Sequence, residues 1–170
     1  MLGLGWIALL LLALGLGCAQ TPSGPRFEWA PPPPPNRGRV YVYRSDPRSS
    51  MSAVRVTVNG QEIGRFRDRE YATIELAAGS HRLHAGMRSL AFVAWGWNEH
   101  TFRVRPGETR FIELSVRLEE RGAPGPGHSR DLEIAGRPEG AAGENVFILD
   151  RPRVEAEAIL PTTRLIATQP

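Results

Sequence analysis

Residues 54–83 read VRVTVNGQEIGRFRDREYATIELAAGSHRL, and this stretch decides the fold. Val54–Val58 alternates valine with polar residues, which is the two-residue period of a strand with one buried and one wet face. Asn59-Gly60 follows at once, and this dipeptide tolerates the positive φ angles of a tight hairpin turn. Polar or small residues at 67–69 and 78–80 mark two further turns. The pattern therefore predicts a three-strand meander that leads into a fourth strand.

Further strands are predicted on both sides of this stretch. Arg39–Arg44 alternates valine with tyrosine, and Thr101–Arg105 alternates apolar with polar residues. Pro106-Gly107 is a type II turn signal. Thr109–Leu118 then places Ile112, Leu114, Val116 and Leu118 on one face and Glu113, Ser115 and Arg117 on the other. About seven short strands at regular spacing predict an all-β fold, a small antiparallel β-sandwich over residues 38–119.

The chain changes character after the sandwich. Residues 120–145 are rich in glycine and proline and are interpreted as a loop-like insertion. Within residues 146–170, Val146–Leu149 is β-prone and Val154–Leu160 is predicted to form a short C-terminal helix that stops at Pro161. Arg164–Ala167 is expected to add an edge strand. This last piece is predicted to pack back on the sandwich.

Residues 1–17 are uncharged and leucine-rich, and the length of the run fits the core of a signal peptide rather than a membrane span. Cys18 is the only cysteine, so no disulfide can form within the chain. Its place after Gly17 resembles the lipobox of bacterial lipoproteins, which implies lipidation of Cys18, although Gly15 stands where that motif prefers leucine. The alternatives are an uncleaved N-terminal helix, or an ordinary signal with an incidental cysteine. Ala19 after the cysteine implies sorting to the outer membrane, facing the periplasm.

Residues 18–37 contain the run Pro31–Pro35. Consecutive prolines adopt an extended helix that acts as a semi-rigid spacer. The sequence therefore predicts a Pro-rich tether that holds the domain off a membrane surface.

Charge gives little indication of a partner. All 21 basic residues are arginines, and 18 acidic residues lie among them, which leaves a net charge of +3. This balance is typical of a solvated surface and argues against nucleic acid as a partner.

The residue pattern indicates no enzyme, cofactor or metal site. His81 and His84 lie three apart on a strand and so face opposite sides, and His100 is isolated in the sequence. Asp68 and Glu70 are neighbours in a polar turn, where solvation is expected. No nucleophile, base and oxyanion site come together in the sequence.

The one candidate binding surface lies in the apolar run Leu90–Trp97, which contains Phe92, Trp95 and Trp97. One interpretation is a central core strand that is buried on both faces. The other is an exposed platform on which Trp95 and Trp97, two residues apart, stack a sugar ring or a partner protein. The sequence leaves both interpretations open.

Several motifs carry a resemblance to a family. They are Tyr41-Val42-Tyr43-Arg44, Val56-Thr57-Val58-Asn59-Gly60, Ala78-Gly79-Ser80-His81-Arg82-Leu83 and Pro106-Gly107-Glu108. Together they resemble an uncharacterised family of bacterial envelope lipoproteins that is similar to the PEGA-type β-sandwich. The resemblance covers Arg39–Leu118 and implies export, a lipid anchor and no known reaction. We therefore expect a non-catalytic envelope module that binds a protein partner or has a structural role. The alternative is a lipoprotein that binds peptidoglycan or another glycan through Trp95 and Trp97.

Overall fold

A computed structural model describes residues 24–46, 53–88, 94–117 and 145–166. Within these ranges the chain forms nine strands, one short α-helix and one turn of 3-10 helix. In chain order they are β1 (Arg37–Arg44), β2 (Val54–Val58), β3 (Gln61–Phe66), β4 (Glu70–Ala77), β5 (Gly79–Arg88), β6 (Ala94–Val104), β7 (Thr109–Arg117), β8 (Asn145–Arg151), α1 (Arg153–Ile159), the 3-10 helix Leu160–Thr162 and β9 (Arg164–Leu165). No helix in these ranges is long and apolar enough to cross a membrane.

The strands form two packed sheets, which confirms the predicted all-β sandwich. One sheet has five strands in the order β8-β7-β1-β4-β9, and the other has four in the order β3-β2-β5-β6. Two pairs, β1–β7 and β4–β9, are parallel, so the five-stranded sheet is mixed and not purely antiparallel as predicted. The reason is that β5 and β6 lie in the other sheet, and the chain crosses back to place β7 beside β1 in the same direction.

The predicted meander is correct for its first hairpin only. Asn59 and Gly60 have φ angles of 51° and 82° and connect β2 to β3. The chain then turns through Arg69, whose φ is 60°, and β4 pairs with β1 in the opposite sheet. The next strand, β5, returns to lie beside β2. A meander was wrong here because β4 has buried side chains on both faces, including Tyr71, and so needs a central position in a covered sheet.

The main core lies between the two sheets. Its members are alternate side chains of both inner faces, such as Val40, Val42, Val56, Leu83, Phe102, Ile112, Leu114 and Ile148. Burial of apolar area at this interface is the main stabilising contribution to the fold, at about 25 cal/mol per Å².

A second core covers the outer face of the five-stranded sheet. It contains Tyr41, Tyr43, Tyr71, Phe111, Ala156 and Leu160, with Phe27 and Leu165 at its edge. The helix α1 and residues 24–30 form its cover, so the tyrosines of β1 are buried. Glu113 and Ser115 on β7 are buried as well.

The described part of the predicted tether lies on the domain. The Phe27 backbone N–H donates to Thr163 at 3.2 Å, and the Leu165 N–H donates to Pro25 at 2.9 Å. Arg164 also donates from its guanidinium to the Gly24 carbonyl at 3.1 Å. These bonds join the two ends of the described chain, so residues 24–30 are part of the folded unit and do not act as a free spacer.

Candidate functional site

Arginines from two distant parts of the chain meet at one end of the sandwich. They line an open cleft of about 520 Å³ between the β6–β7 turn, the end of β8 and the start of α1. We name this site the arginine cleft, and its arginines are Arg103, Arg105, Arg110, Arg151 and Arg153. The lining also carries Glu108 and Asp150, and the positive charges without an ion-pair partner in the described ranges are those of Arg103 and Arg105. The cleft is thus suited to an anionic group.

The alternation of β6 sets two of these arginines on the solvent side. Phe102 and Val104 are buried in the main core, so Arg103 and Arg105 are exposed on the opposite face. Gly107 has a φ of 71° in the turn that follows. Glu108 closes this turn, because its carboxylate accepts the Arg105 backbone N–H at 2.7 Å. Within the described residues neither the Arg103 nor the Arg105 guanidinium has a carboxylate partner.

A clasp of three charged or titratable groups forms one wall of the cleft. His100 Nε2 donates to Asp150 Oδ2 at 2.9 Å, and Arg110 donates to Asp150 Oδ1 at 2.7 Å. The clasp joins β6 of one sheet to β7 and β8 of the other. His100, which looked isolated in the sequence, is therefore paired, because its partner lies 50 positions later.

The clasp predicts a pH dependence of stability. Burial raises the pKa of the Asp150 carboxyl, but the hydrogen bond from His100 and the charge of Arg110 outweigh it and hold the pKa below its usual value. A lowered folded-state pKa means that the stabilisation is present above pH about 4 and is lost as pH falls through the folded-state value. We expect Asp150→Asn to cost up to about 1 kcal/mol at neutral pH, since the group is partly exposed. The cost should shrink toward zero in strong acid.

Urea unfolding of the wild type and the Asp150→Asn variant, at neutral pH and near pH 3, measures this difference. Asp68→Asn is a suitable control, because Asp68 lies outside the clasp. A cost for Asp150→Asn that stayed constant or grew toward acid would contradict the assignment.

The other wall is held by acidic residues of β7 and α1. Arg151 pairs with the buried Glu113 and, at 3.0 Å, with Glu155. Arg153 pairs with Glu157 at 2.6 Å, and its guanidinium lies 5.5 Å from the centre of the Trp29 ring. These contacts fix the positions of both arginine side chains. Because the side chains are already ordered, a ligand that binds them removes less side-chain conformational entropy.

A second depression adjoins the arginine cleft. We name it the aromatic groove, and it is lined by Trp29, the prolines 31–33, Arg39 and Tyr41, with a volume of about 380 Å³. Thr109 and Arg153 line both depressions, so the two adjoin. The Trp29 ring is 45 % exposed although it packs on Tyr41 and Phe111. An exposed aromatic beside a basic cleft is typical of a recognition surface.

The residues predicted as a binding surface are only partly described. Cys18 and Phe92 lie outside the described residues. Trp95 and Trp97 have their backbone in β6, but their side chains are not described. The strand is at an edge of its sheet and is not a central strand. Its register with β5 shifts between Ala85 and Met87.

The remaining chemical candidates have structural roles. His81 bonds to Asn59 and to the Ala77 carbonyl, whereas His84 lies 3.5 Å from Glu99, so the two do not share a site. The described ranges bring together no group of three His, Cys, Asp or Glu side chains that could hold a metal ion.

The turn carboxylates are not simply solvated, which corrects the expectation. Asp68 accepts the Asp46 backbone N–H at 3.0 Å. Glu70 is buried and accepts the Arg67 backbone N–H at 2.7 Å. Both therefore hold the turn between β3 and β4.

Comparison with protein families gives an assignment. Residues 34–126, more than half of the chain, match the family described as "Protein of unknown function (DUF2846)". The chain belongs to the DUF2846 family. The matched range runs from the end of the proline run through β7, so it includes Arg103, Arg105 and Arg110, whereas β8 and α1 lie beyond it. A search of the curated proteins finds no match to this DUF2846 chain.

Sequence reasoning missed the arginine cleft of this DUF2846 protein. Its two halves lie around positions 103–110 and 150–153, and no motif links them. Because all the basic residues of this chain are arginines, a single arginine in the sequence does not indicate a binding site. The alternation Arg103-Val104-Arg105 before a Pro-Gly turn was the one available signal for half of the site.

Proposed function

We propose that this protein is a non-catalytic binding or structural module of the bacterial cell envelope. It is exported, anchored by a lipid on Cys18 in the outer membrane, and faces the periplasm. Its binding surface for an envelope protein is the arginine cleft. The observation that carries this proposal is the convergence of five arginines on one open cleft, two of them without carboxylate partners in the described chain.

The packing of residues 24–30 supports a short attachment. If the lipid is on Cys18, only residues 19–23 separate it from the first described residue of the folded unit. An extended chain spans at most about 3.6 Å per residue, so the folded unit lies within about 22 Å of the membrane surface. Trp29 and Arg153 line the same groove, so the cleft lies on the side of the domain where the anchor segment runs. A partner of this cleft is therefore expected close to the membrane surface.

The alternative ligand is peptidoglycan or another glycan, bound by Trp95 and Trp97 with Phe92 nearby. The observation that favours it is the position of β6 at the edge of its sheet. A central strand of a covered sheet has to bury its side chains, whereas an edge strand does not. In this alternative the arginine cleft has a secondary role, and the tryptophans carry the affinity by stacking on sugar rings.

Photo-cross-linking in intact cells tests the proposal. A photo-reactive amino acid at Thr109, which lines both the cleft and the groove, is expected to capture one discrete envelope protein. The matched position is Gln61, exposed on β3 at the far edge of the other sheet, where no capture is expected. Capture at Thr109 should be lost in the Cys18→Ala variant, since release from the membrane removes the protein from its partner.

Muramidase digestion separates the two candidate functions. A ladder of products that collapses on digestion and disappears in the Trp95→Ala variant would support glycan binding in place of a protein partner. Equal capture at Thr109 and Gln61, or capture that is indifferent to Cys18→Ala, would overturn the proposal of an anchored module that binds through the cleft.

A further inference from the structure

We infer that the ligand of the arginine cleft is an extended acidic peptide segment, with carboxylates on alternate residues and an apolar side chain beside them. The inference rests on the proposed function, because it names the chemistry of the partner at the same site. The carboxylates pair with Arg103 and Arg105, and the apolar side chain lies in the aromatic groove.

The spacing of the two exposed arginines supports a strand-like ligand. Arg103 lies in β6 and Arg105 directly follows its last residue, Val104; alternate side chains of an extended backbone are about 7 Å apart. An extended peptide repeats its side chains on one face at the same interval, so carboxylates at positions i and i+2 match both guanidinium groups. Arginine binds carboxylates through two parallel hydrogen bonds, which gives such a pair geometric specificity.

The neighbouring arginines are held in place by ion pairs. Arg110 is held by Asp150 and Arg153 by Glu157, so their charges are already compensated. Arg103 and Arg105 have no such partner in the described ranges, and their charges remain for a ligand. The cleft therefore combines fixed walls with two uncompensated cations.

The aromatic groove offers a place for the rest of the segment. Its floor contains Arg39, which is 7 % exposed and donates one guanidinium N–H to Glu75. The Arg39 Nε is buried and has no hydrogen-bond partner in the described part of the chain. The exposed Trp29 ring beside it provides contact for an apolar side chain.

These features favour a peptide over an anionic membrane surface. A flat array of lipid headgroups binds a basic patch through charge alone and needs neither a furrow nor an apolar contact. Here the uncompensated charges line one depression and an exposed aromatic ring lines the adjoining one, which is the arrangement that a mixed acidic and apolar segment fits.

The test uses a fluorescein-labelled peptide that alternates glutamate with threonine and ends in phenylalanine. The folded, delipidated protein should bind it, and the Arg103→Gln/Arg105→Gln variant should bind about tenfold or more weakly, since two charge-assisted pairs are lost. The matched control is Arg67→Gln/Arg69→Gln, which removes the same charge from two exposed arginines at the same spacing in the β3–β4 turn. This control should keep the wild-type affinity.

Three further measurements identify the chemical class of the ligand. A peptide with glutamine in place of glutamate should not bind, and a peptide that ends in serine should bind more weakly than the one that ends in phenylalanine. Vesicles of phosphatidylglycerol in phosphatidylcholine should bind both double variants equally. Vesicle binding that depends on Arg103 and Arg105, without peptide binding, would overturn the inference in favour of a lipid surface.

The inference and the proposed function fail in different ways. If the peptides do not bind but capture at Thr109 persists in cells and depends on Arg103 and Arg105, the acidic-peptide inference is wrong and the proposed function stands. If capture at Thr109 also fails, the cleft is not the binding surface.

Discussion

The Asp46→Asn variant is expected to lose about 3–5 kcal/mol of unfolding free energy, because the change removes the carboxylate charge that faces a buried arginine. Arg44 Nε and Asp46 Oδ2 are 2.6 Å apart, and both side chains are fully buried. Asp46 also accepts the Val116 backbone N–H, and Arg44 donates to the Phe66 carbonyl at 2.9 Å. The pair thus connects the end of β1 to β7 and to the last residue of β3. Asparagine keeps the volume but removes the charge.

Chemical unfolding monitored by circular dichroism measures this loss. The control is Asp68→Asn, because Asp68 accepts the Asp46 backbone N–H and asparagine keeps an acceptor oxygen, so the change should cost no more than about 1 kcal/mol. The double variant Arg44→Met/Asp46→Val should be more stable than Asp46→Asn, since removal of both charges leaves none uncompensated. A loss of less than about 1 kcal/mol in Asp46→Asn would show that the pair does not stabilise this junction.

The second large effect is expected at Tyr41, where Tyr41→Ala should cost about 3–5 kcal/mol. The Tyr41 side chain is 1 % exposed, and its ring stacks on Phe111 at 5.6 Å with an interplanar angle of 9°. It also contacts Phe27 at 5.7 Å and Trp29 at 5.6 Å. Alanine would leave a cavity at the centre of the second core and remove the surface on which residues 24–30 pack.

Tyr41→Phe separates packing from the hydroxyl group. The hydroxyl accepts the Ala30 backbone N–H at 3.0 Å, so phenylalanine should cost only about 1 kcal/mol. Trypsin cleavage after the exposed Arg26 gives a second readout. Cleavage should be much faster in Tyr41→Ala than in the wild type and little changed in Tyr41→Phe. Equal losses for both variants would mean that the ring contacts contribute nothing.

Local patterns predicted the strands and the tight turns of this fold. The alternation of Val54–Val58 and the Asn59-Gly60 dipeptide depend on neighbouring residues, and both are confirmed. Pairing between strands depends on contacts far along the chain, which periodicity does not contain. The parallel pair β1–β7 and the move of β4 to the other sheet therefore differ from the prediction.

The tyrosines of β1 illustrate the same limit. Alternation of valine with Tyr41 and Tyr43 indicates a two-faced strand, but not what covers the second face. The cover comes from α1 and from residues 24–30, at opposite ends of the described chain. The arginine cleft escaped prediction for the same reason, since Arg105 and Arg153 meet only in the folded molecule.

The order of the five-stranded sheet has a consequence for how the molecule folds. Its central strand β1 pairs with β4 on one side and gains its second neighbour only when β7 is present, and the Val116–Asp46 hydrogen bond spans 70 positions. The bond from Arg164 to Gly24 spans 140 positions. Folds dominated by such distant contacts form slowly, because loop closure precedes the stabilising contacts. The five-stranded sheet and its cover are therefore complete only when nearly all of the described chain is available for folding.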